Sequence, residues 1–332
     1  MNRNLARLSF ALVLVSICAL ARSQQKTPLV LSETIPIPSV QGGFNHLAVD
    51  AARQRLFVTA PADKTLEIID LKEERPFGSL VGERPAAARY APEFDQLYVA
   101  RGKSVAIYDG QTYALIATVD VGSNLDELQY DARAKRLYAG CNTEGKTGIA
   151  VISIPNGKLL GMIALPDKPQ GIAVDHAGAR VFANMPDLCQ IAVMDGEKRI
   201  LLTTWPLSAG VANVPMGLDE SGHRLFVGTR NPAQLLAINS ITGERIATVD
   251  SSADADDLSY DAARKRIYIS CGDGSIAVIE QMDVNHYKLL VRVPTVAGAR
   301  NSEFSEPLKR LYVAVPRRGD RPAEVRVFET RE

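Results

Sequence analysis

Arg310-Leu311-Tyr312-Val313 is one copy of a short string that recurs along the whole chain and decides its fold. Close variants begin at Arg55, Gln96, Arg136, Arg180, Arg224 and Arg266, which gives seven copies. Their central aromatic residues, called here the anchor aromatics, are Phe57, Tyr98, Tyr138, Phe182, Phe226, Tyr268 and Tyr312. Successive anchors are 41, 40, 44, 44, 42 and 44 residues apart, and units of that length fill most of the 332-residue chain. Internal repetition of this kind indicates a repeat architecture.

Each unit has the pattern of four short strands separated by turn residues. In the third unit the predicted strands are Glu127–Asp131, Arg136–Gly140, Gly148–Ile154 and Leu159–Leu165. Four strands in about 40–45 residues are typical of a propeller blade. The sequence therefore predicts an all-β, seven-bladed β-propeller of four-stranded blades in a single domain, 24–332. The predicted blades are roughly 44–82, 83–124, 125–167, 168–212, 213–254, 255–298, and 299–332 together with 28–40.

The two ends of the chain are predicted to close the ring. After the string at Arg310 only one more strand fits, so the seventh blade lacks its outer strand. The segment Leu29–Ile37 precedes the first blade and has the pattern of an outer strand. We expect this N-terminal strand to complete blade seven and to remove an exposed sheet edge.

The first 23 residues have the features of a secretory signal peptide. Arg3 and Arg7 precede the apolar run Leu8–Leu20, which is too short to serve as a comfortable membrane span. Cleavage would remove three arginines and no acid, which leaves 35 basic against 38 acidic residues in the mature chain. We therefore expect a periplasmic or secreted protein without a stable membrane anchor. The absence of a basic excess argues against a nucleic-acid partner.

The RLYVA-type strands, followed by outer-strand patterns such as Thr242–Val249, resemble the YVTN (YncE-like) repeat family of exported bacterial β-propellers. The resemblance covers residues 28–332. It implies that the first strand of each blade is innermost and that the loops before it lie on one face. It carries little information about activity, because the repeat is a scaffold motif.

On that geometry, the residues at the start of each inner strand lie at the mouth of the central channel. They vary between blades while the strand residues repeat, which is where individual function can reside. The candidate ligand-binding residues are His46, Arg84, Asp126, Glu127, Gln170, Met216, Arg230, Asp256, Asp257, Arg300 and Asn301.

Two acidic pairs, Asp126-Glu127 and Asp256-Asp257, occupy equivalent places in blades three and six, nearly opposite each other. Because hard divalent ions prefer several oxygen ligands, these four carboxylates could hold Ca²⁺ or a similar cation. The alternative is that backbone N–H groups or arginines occupy them, and we weigh this above a metal site. The arginines and Lys168 suggest instead an anionic ligand, since guanidinium groups suit carboxylates and phosphates; neutralisation of the neighbouring acids is the competing interpretation.

His46 is the one histidine expected near the channel, with Asn45, Arg300 or Asn301 as its neighbours; His176 is expected on the opposite face. A lone histidine without a positioned partner is more often structural than catalytic. Recurring aspartates such as Asp131 and Asp175 precede the second strand, and the arginine five residues later is their expected ion-pair partner. The motifs of serine hydrolases, zinc proteases and nucleotide-binding loops are absent.

Two functions remain open. The first is an exported, non-catalytic propeller, expected to be monomeric, that binds a partner protein or a small ligand at the channel mouth and needs no cofactor. The second is a metal-dependent hydrolase resembling the propeller lactonases, which would use the four channel-mouth carboxylates. We favour the first, because the chain lacks the catalytic motifs, and opposed acidic pairs are expected to lie too far apart for one ion.

Overall fold

The computed structural model describes residues 27–177, 179–208 and 211–332, and it places twenty-eight strands there. The closing strand is β1 (Leu29–Ile37). Blades one to three contain β2 (Leu47–Asp50), β3 (Arg55–Ala60), β4 (Thr65–Asp70), β5 (Arg75–Val81); β6 (Pro85–Ala91), β7 (Gln96–Arg101), β8 (Ser104–Asp109), β9 (Leu115–Asp120); β10 (Leu125–Asp131), β11 (Arg136–Thr143), β12 (Lys146–Ser153), β13 (Lys158–Ala164).

Blades four to seven continue the same arrangement. Their strands are β14 (Gln170–Asp175), β15 (Arg180–Met185), β16 (Gln190–Asp195), β17 (Ile200–Pro206); β18 (Val211–Asp219), β19 (Arg224–Asn231), β20 (Ala233–Asn239), β21 (Arg245–Asp250); β22 (Ala255–Asp261), β23 (Arg266–Cys271), β24 (Ser275–Gln281), β25 (Tyr287–Pro294); β26 (Asn301–Ser305), β27 (Arg310–Val315), β28 (Ala323–Thr330). No helix in the described part of the chain is long and apolar enough to cross a membrane.

The strands form seven antiparallel sheets of four, which confirms the predicted seven-bladed propeller. Six sheets run in simple chain order, from β2-β3-β4-β5 to β22-β23-β24-β25. The seventh has the order β1-β28-β27-β26, with Leu29 opposite Thr330 and Ile37 opposite Ala323. The N-terminal strand therefore closes the ring as predicted. The signal peptide predicted for residues 1–23 lies outside the described residues.

The core lies between neighbouring blades, because each sheet buries one face against the next. All seven anchor aromatics are at most 1% exposed. Around Phe57, for example, Leu66 and Ile68 of blade one pack against Leu97 and Val99 of blade two. The turn before each anchor-bearing strand repeats as well, since the residue preceding that strand has a positive φ in every blade. These residues are Gln54, Asp95, Lys135, Ala179, His223, Lys265 and Lys309.

The repeated arginine of the string joins one blade to the next in four consecutive blades, three to six; in blade six Arg266 Nη1 donates to the carbonyl of Arg331. Arg136 Nη1 donates to the carbonyl of Gly196 at 2.7 Å, and Arg180 Nη1 donates to that of Ser240 at 2.8 Å. Arg224 Nε donates to the carbonyl of Val284 at 2.6 Å. In blades three to five the acceptor lies 60 residues further along the chain.

The expected ion pair between this arginine and the aspartate five residues earlier forms in blade four, between Arg180 and Asp175 at 2.9 Å. In blade three Arg136 forms no ion pair with Asp131, and its guanidinium donates to the Gly196 carbonyl of the next blade. There the Asp131 carboxylate accepts the backbone N–H of Ala134 and so stabilises its own turn. The expectation was therefore wrong for blade three. It was also wrong for blades one and six, where Asp50 pairs with Arg53 and Asp261 with Arg264, and for blade five, where Asp219 accepts from Gln281.

Candidate functional site

The inner strands β2, β6, β10, β14, β18, β22 and β26 surround a central channel with a cavity of about 830 Å³. Charged side chains line it from Lys168, Asp187, Arg230 and Arg300 at one end to Glu220 at the other. His176 also lines this cavity, beside Glu220 at 3.1 Å. The expectation that His46 is the one histidine near the channel was therefore wrong.

Strand register divides the channel wall into levels. In every blade the residue nine positions before the anchor aromatic pairs with that aromatic, so these seven residues form one ring, called here the anchor-level ring. It consists of Ala48, Arg89, Gln129, Ala173, Gly217, Ser259 and Glu303. Two residues earlier, and so about 7 Å nearer the mouth, the strands carry His46, Glu127, Asp257 and Asn301.

His46 of blade one binds the carboxylate of Asp257 in blade six, two blades away around the ring. Its Nδ1 lies 3.2 Å from Asp257 Oδ1. Burial alone lowers the pKa of His46, but the charge and hydrogen bond of Asp257 and the charges of Glu127 and Asp126 outweigh it and raise the pKa to about 10. His46 is therefore an imidazolium at neutral pH.

The expected partners of His46, which were Asn45, Arg300 and Asn301, are engaged elsewhere. Asn45 Nδ2 lies 3.4 Å from Asp126 Oδ1, and the Asn301 amide donates to Asp256 Oδ2 at 2.9 Å. The reason is geometric: inner strands converge on the axis, so a side chain there reaches the second blade along as readily as the first. Through Asn45 and His46, blade one contacts both acidic pairs.

At the mouth, arginines hold Asp256 of the blade-six acidic pair, and a backbone N–H holds Asp257. Arg230 Nη2 binds Asp256 Oδ1, and Arg300 Nε lies 3.3 Å from Asp256 Oδ2. Arg300 also bonds Asp254 at 3.0 Å. The neighbouring Asp257 accepts the backbone N–H of Ser302 at 2.8 Å. Burial first, and then the charge of Asp257, raise the pKa of Asp256, while the arginines and His46 oppose this shift.

Neutral donors hold the acidic pair of blade three. Gln170 Nε2 donates to Asp126 Oδ2 at 3.0 Å, and the backbone N–H of Ile172 donates to Glu127 Oε1 at 3.2 Å. Burial raises the pKa of Glu127, and the charges of His46 and Arg89 act against it. The two acidic pairs, equivalent in the repeat, thus have different partners.

Protein donors therefore already bind all four carboxylates that could hold a cation. Across residues 27–177, 179–208 and 211–332, no group of three or more His, Cys, Asp and Glu side chains is placed to hold a metal ion. A calcium ion in this channel would have to displace Arg230, Gln170 or a backbone N–H, since Ca²⁺ takes six to eight oxygen ligands.

The remaining candidate ligand-binding residues fall into those that line the cavity and those that do not. Gln170, Met216, Arg230 and Arg300 line the cavity, together with the four acids and His46. Asn301 acts on it through its bonds to Asp256 and Asp257. Arg84 is exposed and is not part of the lining, because it lies in the loop before β6, whose first paired residue is Pro85.

Sequence reasoning missed Arg89, Gln129 and Glu303, which line the cavity at the anchor-level ring. The signal that identifies them is their constant spacing of nine residues before Tyr98, Tyr138 and Tyr312. The pKa of Glu303 is raised to about 7: burial is the largest cause, the charge of Asp257 acts in the same direction, and the charges of Arg89 and His46 oppose both.

Comparisons with known proteins agree with the fold. Over 242 residues the chain is 24% identical to uncharacterized protein YncE of Salmonella typhimurium strain LT2, which covers 67% of each chain. The match to YncE of Salmonella typhi has the same extent and identity. The chain resembles YncE. No family model matches it.

Three solved structures of similar fold belong to proteins of different kinds. A chain of the mitotic checkpoint complex superposes with a TM-score of 0.78 at 16% identity, over 99% of this chain and 100% of that one. Hydrazine synthase of Kuenenia stuttgartiensis gives 0.74 at 16% identity, over 86% and 95%. U3-55K gives 0.75 at 11% identity, over 90% and 98%. At such identities the likeness extends to the propeller fold alone.

Proposed function

We propose that this protein is a binding propeller that takes up a small polar ligand at the mouth of its channel. The observation that carries the proposal is the lining of the 830 Å³ cavity by charged side chains that protein partners already fix in place. A site whose polar groups are held before binding loses little freedom when a ligand arrives. The volume is also in the range of small-molecule sites.

The protonation state of His46 supports binding over catalysis. A general base must be unprotonated at the working pH and within reach of the proton that it removes. His46 instead keeps its proton to a pKa of about 10 and shares a hydrogen bond with Asp257. Its role in the proposal is electrostatic: it neutralises charge between Asp257, Glu127 and Asp126.

A thermal-shift screen tests the proposal. Purified protein would be melted with a panel of organic cations, organic anions, sugars and Ca²⁺, alongside Asp126→Asn and the matched control Asp320→Asn. Asp126 lines the cavity, whereas Asp320 is exposed and outside it. We expect at least one organic compound to raise Tm in the wild type and the control but less in Asp126→Asn. A panel without any effect would refute a small-ligand function.

The same screen examines the metal-dependent hydrolase. That alternative gains support if Ca²⁺ alone raises Tm in the wild type and not in Asp126→Asn, and if lactone hydrolysis requires the added ion. It fails if lactones are hydrolysed equally by the wild type, Asp126→Ala and Asp257→Ala, because the carboxylates would then have no catalytic part.

We also infer an exported, monomeric protein built from YVTN-type repeats, without a nucleic-acid partner or a stable membrane anchor. Arg3, Arg7 and the apolar run Leu8–Leu20 support export. Cell fractionation with mass analysis of the mature N-terminus tests it, and an uncleaved cytoplasmic chain would contradict it. Light scattering on the purified protein gives the oligomeric state.

A further inference from the structure

Glu303 differs from the four carboxylates at the channel mouth, because within the described residues no protein group donates a hydrogen bond to its side chain. Asp126, Glu127, Asp256 and Asp257 each accept a hydrogen bond from a side-chain amide, a backbone N–H or an arginine. In the described part of the chain, the Glu303 side chain makes no hydrogen bond and no close ion pair. Its carboxylate oxygens are therefore free to accept bonds from a ligand.

The cations nearest to Glu303 are directed elsewhere. Arg89 Nη1 donates to the carbonyls of Leu47 and Ala88 at 3.1 and 3.0 Å, and His46 is bonded to Asp257. Both affect Glu303 through charge alone. Glu303 is thus a carboxylate with charged neighbours but no bonded partner.

The channel as a whole carries more acid than base. Its lining includes seven carboxyl groups, Asp126, Glu127, Asp187, Glu220, Asp256, Asp257 and Glu303. Against them stand four Lys and Arg side chains, Arg89, Lys168, Arg230 and Arg300, together with protonated His46. This balance favours a cationic guest, and the low dielectric of an enclosed site strengthens the preference.

The cavity extends to the anchor-level ring, so a guest can lie at that level. Ala173, Gly217 and Ser259, consecutive around the ring in blades four to six, line it there. Glu303 and Gln129 provide acceptor oxygens at the same level, and Ser259 adds a hydroxyl. An ammonium group has three donors and no acceptor, so a carboxylate with neutral oxygens around it suits it.

We propose that the channel binds a small aliphatic ammonium ion and that Glu303 receives its charged nitrogen. This rests on the proposed function, since it names the ligand class of the same channel. A hard metal ion fits less well at this level, because one free carboxylate and two neutral side chains fall short of the six to eight oxygens that Ca²⁺ takes.

The pH dependence follows from the groups that face Glu303. These are Asp257 of β22, His46 before β2, and Arg89 of β6. The ionised form of Glu303 binds the cation, so affinity rises as pH increases through its pKa of about 7. Between pH 5.5 and pH 8.0 the ionised fraction grows about 30-fold. His46 remains protonated throughout, because its pKa is about 10.

Calorimetric titration at low salt tests the proposal with n-butylammonium chloride and 1,4-diaminobutane dihydrochloride as probes. Sodium butyrate and 1-butanol serve as the anionic and neutral comparisons. The variants are Glu303→Gln and the matched control Glu306→Gln, which removes the same charge from an exposed turn outside the cavity. The melting temperature of each variant verifies that it is folded.

We expect the wild type and Glu306→Gln to bind the amines with affinities within twofold of each other. Glu303→Gln should bind them at least tenfold more weakly and lose most of the 30-fold pH dependence. Equal affinity in Glu303→Gln, or binding of butyrate in preference to butylammonium, would overturn the proposal and leave the binding function standing. The absence of amine binding would also overturn it, whereas the proposed function falls only if the wider panel has no effect either.

Discussion

Replacing Arg224 with methionine should destabilise the ring at a junction between blades. Arg224 is 8% exposed, and its guanidinium joins blade five to a turn of blade six. Nε donates to the Val284 carbonyl at 2.6 Å, and Nη2 donates to Asn285 Oδ1 at 3.0 Å. Nη1 bonds the carbonyls of Gly222 and His223 in its own blade, both at 3.0 Å.

The expected loss of stability comes from the two hydrogen bonds that Arg224 donates to blade six. A hydrogen bond from a charged donor contributes about 1.5–3 kcal/mol, and methionine preserves most of the apolar stem. Water can reach Val284 and Asn285, which are exposed, so the lower value applies to each bond. The free energy of unfolding should therefore fall by about 3 kcal/mol.

Urea denaturation, followed by far-ultraviolet circular dichroism and Trp205 fluorescence, measures this change. Arg245→Met is the matched control, because Arg245 lies in the same blade with an exposed side chain and no ion pair or hydrogen bond among the described residues. The control should change stability by less than about 0.5 kcal/mol. If both variants lose the same amount, the arginine does not join the blades.

Further expectations concern titration, accessibility and closure. NMR should give His46 a pKa of about 10, and Asp257→Asn should lower it; an unchanged value would show that Asp257 is not the cause. The native state keeps a proton that the unfolded state loses near pH 6.5, so stability should fall by about 4 kcal/mol between pH 6.5 and 10, and less in His46→Gln. Cys141 and Cys271, whose thiol pKa values burial raises to about 11 and about 12, should resist alkylation at pH 8 until the protein unfolds. Ile35→Ala in β1, at a fully buried position, should cost about 2–5 kcal/mol in urea denaturation; a loss below 1 kcal/mol would mean that β1 contributes little to the closed ring.

The fold could be predicted because each blade repeats the same local information. The anchor aromatics identify the buried strand, and turn residues delimit its neighbours, so strand limits in blade three differ from the prediction by at most three residues. For example, Glu127–Asp131 was predicted and Leu125–Asp131 is found, while Arg136–Gly140 extends to Arg136–Thr143. The β-bulge between Leu125 and Leu128 accounts for the first difference, since sequence periodicity does not reveal an inserted residue.

The candidate site was predictable as a set of residues but not as a set of contacts. Counting from the anchors located His46 and both acidic pairs in the channel. Their partners depend on the width of the closed ring, which no single blade encodes. His46 therefore found Asp257 two blades away, and Asp256 took arginines from blades five and seven.

The junction between blade seven and blade one is needed both to close the ring and to assemble the channel site. β1 completes blade seven, and blade seven supplies the Ser302 N–H that binds Asp257, as well as Glu303 itself. His46, on the other side of that junction in blade one, contacts the same Asp257. If blade seven separates from blade one, the contact that keeps His46 charged is lost, and so is the ring level at which Glu303 faces Arg89. In a repeat protein stability is a sum over neighbouring interfaces, so a ligand that binds Glu303 in the closed ring and not in the unfolded chain also stabilises this junction.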